Sequence, residues 1–154
     1  MAYESLTREA YQNNIDIYEK PLKPRVKGLY SDNIIWINKH IETKAEKICV
    51  LAEELGHYHT SFGNILDQSK INNRKQEKMA RRWAWNKLIT PKKLILAFKD
   101  GCRSKHEIAE YLNITEPFLE EGIIFYREKY GTQMQVDNNY ILYLDPLAVY
   151  EIIE

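Results

Sequence analysis

The stretch Cys49-Val-Leu-Ala-Glu-Glu-Leu-Gly-His-Tyr-His-Thr60 does most to limit what this chain can fold into. Ile48, Leu51, Ala52 and Leu55 recur at helical spacing, which predicts a helix over residues 42–59 with one buried face. On that helix Glu53 and His57 are four residues apart, so they share a face one turn apart. Glu54 lies between them. The arrangement is that of His-Glu-x-x-His, whose outer residues share a metal ion and whose Glu acts as general base on metal-bound water. Here Glu53 stands at the first position in place of His. Ordinary helix surfaces also carry Glu-x-x-x-His as a mild charge pair, so these residues alone leave both readings open.

Two ligands do not complete a zinc site, and a third must come from elsewhere. Glu77 is the candidate. It falls on a second expected helix, from about residue 73 to 88, on one stripe with Ala80, Trp83, Ala84 and Leu88. A carboxylate on a core-facing stripe needs a partner, because burying it alone is costly. The expected site is therefore Glu54 as catalytic base, with Glu53, His57 and Glu77 as metal ligands. Zinc is the expected ion. Two carboxylates and a neutral imidazole cancel a divalent charge, so bound water is acidified less, which makes manganese a second expectation. His59 falls on a different helical face from His57 and reads as a surface or supporting residue. Tyr58 reads as packing, His40 as a residue near the end of a hairpin that lines a cleft, and His106 as solvated.

The chain has 154 residues, enough for one domain with one core. Lys plus Arg and Asp plus Glu are equal at 22 each, so no global field draws in nucleic acid or membrane. Cys49 and Cys102 have no metal-binding spacing, and Cys49 falls on the apolar side of the motif helix. Glu4 and Arg8 interrupt the N-terminus, and no apolar run reaches membrane-spanning length. The expectation is a cytoplasmic protein with no membrane contact and no direct nucleic-acid contact.

Residues 4–19 read as a helix ended by Pro21 and Pro24. Residues 26–30 and 34–38 flank Asp32-Asn33 and predict a hairpin. Phe62-Gly63 marks a break, residues 92–98 begin another helix, and residues 134–136 and 140–144 suggest a second hairpin. The fold class expected is α+β, mostly helical, as one domain over residues 1–154 with its core in 20–100.

Residues 104–130 look like a helix-turn-helix pair, with Thr115 as cap and Pro117 in the first turn of the second helix. A DNA-reading helix presents basic or amide side chains at its start, whereas this one presents Glu116, Glu120 and Glu121. The pair reads as structural or as a docking surface. Arg74, Lys75, Lys78, Arg81 and Arg82 form a basic cluster, most of it on the side away from Glu77, and read as a solvated face.

The order of these features is specific. Lys27-Gly-Leu-Tyr30 and Ile34-Ile-Trp-Ile-Asn38 precede Leu51-Ala-Glu-Glu-Leu-Gly-His57, then Glu77-x-x-Ala80-x-x-Trp83-Ala84 runs to Pro91. Over about residues 20–130 this resembles the ImmA/IrrE family of metallopeptidase-like proteins, especially short members carried by phages and mobile elements. The resemblance implies a zincin-like, specifically gluzincin-like, arrangement with His57 and Glu77 as ligands and Glu54 as base. The family's first ligand is normally His, and its Ala-Asn-x-Phe-Ala pattern is here Ala80-Arg-Arg-Trp-Ala84. It further implies a helix-turn-helix repressor as protein partner and substrate. The alternative is a metal-free, catalytically inactive relative that regulates such a repressor by binding it.

Overall fold

The computed structural model describes residues 2–60 and 70–153. Its first helix, α1 (Ala2–Gln12), stops well short of Pro21. Asn14 takes a left-handed backbone (φ 60), and the Ile15 amide turns back to the Ala10 carbonyl at 2.9 Å. Asn tolerates that conformation better than most residues, so the helix ends there. Residues 16–19, expected to be helical, instead belong to strand β1 (Asp16–Lys20). It lies parallel to β3 (Ile34–Asn38), with Asp16 opposite Ile34 and Lys20 opposite Asn38. Pairing with a strand later in the chain overrides the local helical periodicity.

The expected hairpin is present. Strand β2 (Gly28–Ser31) pairs antiparallel with β3 through a turn in which Asp32 and Asn33 both have positive φ, 48° and 62°. That turn matches the twist of the flanking strands. The sheet order is β1-β3-β2, so β3 is central, with Ile35 and Ile37 fully buried, and β2 is an edge. Buried Asn38 ties down the segment leading into β2 by donating to the Val26 carbonyl at 2.9 Å and accepting from the His40 amide at 3.0 Å.

Helix α2 (Lys44–Thr60) follows, with the Thr43 hydroxyl accepting from the Glu46 amide at 3.2 Å. Its buried side includes Ile48, Leu51, Ala52 and Leu55, as the spacing predicts, and it packs against α1, β2 and β3. The break expected at Phe62-Gly63 lies outside the described residues. Helix α3 (Lys70–Leu88) buries Ala80 and Ala84 completely.

The chain divides into two compact units, Met1–Lys87 and Leu88–Glu154. The second contains α4 (Pro91–Lys99), α5 (Lys105–Leu112) and α6 (Glu116–Tyr130). Thr90, Ser104 and Thr115 cap these helices, and the left-handed Asn113 ends α5. The helical pair expected over 104–130 is therefore present. A sheet of order β4-β5-β6 completes this unit, from β4 (Gln133–Gln135), β5 (Tyr140–Leu144) and β6 (Leu147–Glu151). The β4–β5 hairpin was expected, and β6 extends it. The described residues thus form an α+β structure of six helices and two three-stranded sheets. None of its described helices is long and apolar enough to cross a membrane.

Candidate metallopeptidase-like site

Two glycines allow the first unit to bring its motif residues together. A Cβ on Gly56 would collide with the Ala80 carbonyl, so α2 and α3 meet backbone to backbone at this point. A Cβ on Gly28 would stand 2.6 Å from Val50 Cγ1 and 3.1 Å from Glu54 Oε1, so β2 lies directly over the motif helix. Between these elements is a cleft of about 280 Å³, lined by Gly28, Leu29, Tyr30, Glu54, His57, Gln76 and Glu77. Three consecutive residues of β2 line it. Strand side chains alternate between faces, so the strand's main chain borders the cleft.

Glu54, His57 and Glu77 share this cleft. His57 Nε2 donates to Glu77 Oε1 at 3.2 Å. Burial works against the imidazolium, but the Glu77 hydrogen bond and the charges of Glu54, Glu77 and Glu53 outweigh it and hold the His57 pKa above its ordinary value. The same hydrogen bond holds the Glu77 carboxyl below its usual range, against partial desolvation. Glu77 was expected to face the core. Its side chain is instead 57% exposed at the cleft, and His57 is its partner. Glu54 is buried, and desolvation, with smaller contributions from Glu77 and Glu53, pushes its pKa up to about 7 against the pull of His57. A carboxyl in that range exchanges protons at neutral pH.

Glu53 is not among the residues lining the cleft. Its Oε1 stands 4.0 Å from Arg81 Nε. Arg81, read from sequence as part of a solvated basic face, thus reaches the first position of the motif. Two ligands bonded at about 2.0–2.1 Å to a tetrahedral ion have their donor atoms roughly 3.3 Å apart. The separation of His57 and Glu77 meets that spacing, so these two fit a shared ion. Glu53, as placed, does not join them. Among the described residues no group of three His, Cys, Asp or Glu side chains is placed to hold a metal.

The remaining histidines lie elsewhere. The His59 ring stacks on Trp83 at 4.7 Å and 18°, and its Nε2 is 3.5 Å from Glu9 Oε1. Lys87 reaches the other Glu9 oxygen at 3.0 Å, so Glu9 links α1 to α2 and α3. Through these contacts His59 joins α2 to α3 and α1. Tyr58 packs edge-on against Tyr30, with ring centroids 5.9 Å apart. His40 is exposed and does not line the cleft, and His106 is exposed beside Glu110 and Glu116. Tyr30 and Gln76 are cleft residues that the motif did not indicate. The sign of Tyr30 in the sequence is its position in the strand just before the Asp32-Asn33 turn.

No curated protein and no solved structure matches the chain. The family model described as the IrrE N-terminal-like domain, a peptidase family, matches residues 10–123. That match covers most of the chain, including every element that builds the cleft, and the chain therefore belongs to the ImmA/IrrE family, whose members are generally metal-dependent peptidases.

Proposed function

We propose that the cleft between β2, α2 and α3 is the working site of a gluzincin-like endopeptidase that acts in the bacterial cytoplasm on a helix-turn-helix repressor of a phage or mobile element. The observation that carries this reading is the burial of Glu54, with its pKa near 7, beside the His57–Glu77 pair. His57 and Glu77 would hold a zinc or manganese ion. An ion held there supplies polarisation of the scissile carbonyl and a lower pKa for water. Glu54 takes a proton from the attacking water and returns it to the leaving amine. The substrate segment lies extended along β2, whose main chain borders the cleft. Burial pushes the Tyr30 phenol up, so it meets the substrate as a neutral donor.

The test is incubation of the full chain with candidate repressors and zinc or manganese, with fragments read by mass. Discrete cleavage that Glu54→Gln abolishes is the expected result. Intact repressor under every metal condition would remove the peptidase reading.

One observation favours a second reading. Glu53 lies 4.0 Å from Arg81 and outside the cleft lining, which suits a metal-free relative that regulates a repressor by binding it. Under that reading an intact repressor co-purifies with the chain, and Glu54→Gln leaves the complex unchanged.

A further inference from the structure

The pairs across α2 and α3 are ordered. His57 meets Glu77, and one turn away on each helix Glu53 meets Arg81. The residue numbers run in opposite directions, so the helices are antiparallel along this seam. Glu53 is four residues before His57, and Arg81 four after Glu77, so both side chains stand on the face of their helix that carries the site. Arg81 therefore offers Glu53 a cation at the place where a shared metal ion would otherwise claim it.

We propose that Arg81 is a latch on the metal shell. It holds Glu53 out of the cleft, so that a divalent ion enters between His57 and Glu77 first, and Glu53 becomes a third ligand only when the Arg81 pair opens. This rests on the metal-dependent reading of the cleft. The chemistry is a competition for one carboxylate. A guanidinium and a divalent ion also repel each other, so the ion is held less tightly while Arg81 is near. The Arg81 and Glu53 side chains are 49% and 30% exposed, so solvent screens their pair and it can be displaced. An Arg at this position turns a closed three-ligand site into one of adjustable affinity.

The experiment is equilibrium dialysis of the full chain against zinc and, separately, manganese, with metal content read by elemental analysis. It compares the parent with Arg81→Ala, Arg81→Lys, Glu53→Ala, Glu77→Ala and the Arg81→Ala/Glu53→Ala double variant. Thermal melts check that each variant folds. Removing the latch is expected to tighten binding roughly fivefold, the most that an exposed pair of this kind would oppose. Arg81→Lys, which keeps the charge, should stay near the parent. The double variant should lose most of the gain and keep only the part that comes from relieved guanidinium repulsion, Glu53→Ala should lie within about twofold of the parent, and Glu77→Ala should bind poorly. If Glu53→Ala weakens the parent as much as Glu77→Ala does, Glu53 is a resident ligand and the latch is wrong. Metal bound by the parent but unaffected by Arg81→Ala overturns the latch alone. No metal in any variant overturns the latch and the metal-dependent reading together.

Discussion

Gly56 and the carbonyl of Ala80 are in direct contact, and one residue further along α2 the His57 ring reaches Glu77. The glycine sets the distance between the two helices, and that distance sets the distance between the two site residues. Gly56→Ala is expected to cost about 1–3 kcal/mol, because its Cβ meets backbone that cannot rotate away. It should also separate His57 from Glu77. Urea unfolding reads the first effect, and a lowered imidazole pKa by NMR reads the second. A variant as stable as the parent with an unchanged His57 titration would mean that α2 and α3 tolerate a wider spacing.

Glu54 gives the protein an unusual pH response. Its carboxyl titrates near 7 in the folded state against an ordinary value of 4.5. The unfolded chain therefore loses this proton first. The contribution of Glu54 is fully favourable below about pH 4.5 and is lost as pH rises to about 7, by on the order of 3 kcal/mol. Glu54→Gln should therefore be more stable than the parent at pH 8, and the advantage should vanish near pH 4. Urea denaturation at both pH values measures this. Equal stability at pH 8 would show that water reaches the carboxylate.

The His57–Glu77 pair has opposite signs on its two sides. The lowered pKa of Glu77 gives stability that is present above the ordinary carboxylate range and lost as pH falls through its folded value. The raised pKa of His57 gives stability that is present below the ordinary imidazole value and lost as pH rises through its folded value. The pair therefore contributes most between those two ionisations. Glu77→Gln should lower the His57 pKa and flatten this window. An imidazole titration by NMR, run without added metal, is the check, and an unchanged His57 curve would mean that the pair is absent in solution.

Asn38 has no part in the chemistry, yet it anchors the approach to β2. It is 3% exposed and bonds to the Val26 carbonyl and the His40 amide. Asn38→Ala leaves those part-buried groups without it and should cost about 1 kcal/mol in thermal or urea unfolding. Retained stability would place water in the vacated position.

The local signals in the sequence were readable. The apolar spacing of Ile48, Leu51 and Leu55 located α2, Asp32-Asn33 marked the turn, and Thr115 with Pro117 marked the start of α6. Strand β1 was not readable, because its partner is β3 and the information lies in residues 34–38 rather than in 16–20. Within the site, Glu54 and His57 could be listed from motif spacing and Glu77 from its stripe on the second helix, and the three line one cleft. The partner of Glu53 could not. Arg81 lies four residues after Glu77 in plain view, but its role depends on the antiparallel course of α3 beside α2, which no single helix encodes.

The edge strand β2 is four residues long, and among its described pairings it has β3 on one side only. A segment laid along the other edge gains a few main-chain hydrogen bonds, each with a net value of about 1 kcal/mol. That sum corresponds to a dissociation constant of roughly millimolar or weaker. Short peptides are therefore poor reporters of this cleft, however well their sequences suit it. A folded partner held by a second contact would present an extended segment at an effective concentration of the same millimolar order. Under the proposed peptidase reading, selectivity would then reside in the tether, and the cleft would act on whatever extended segment that tether brings within reach.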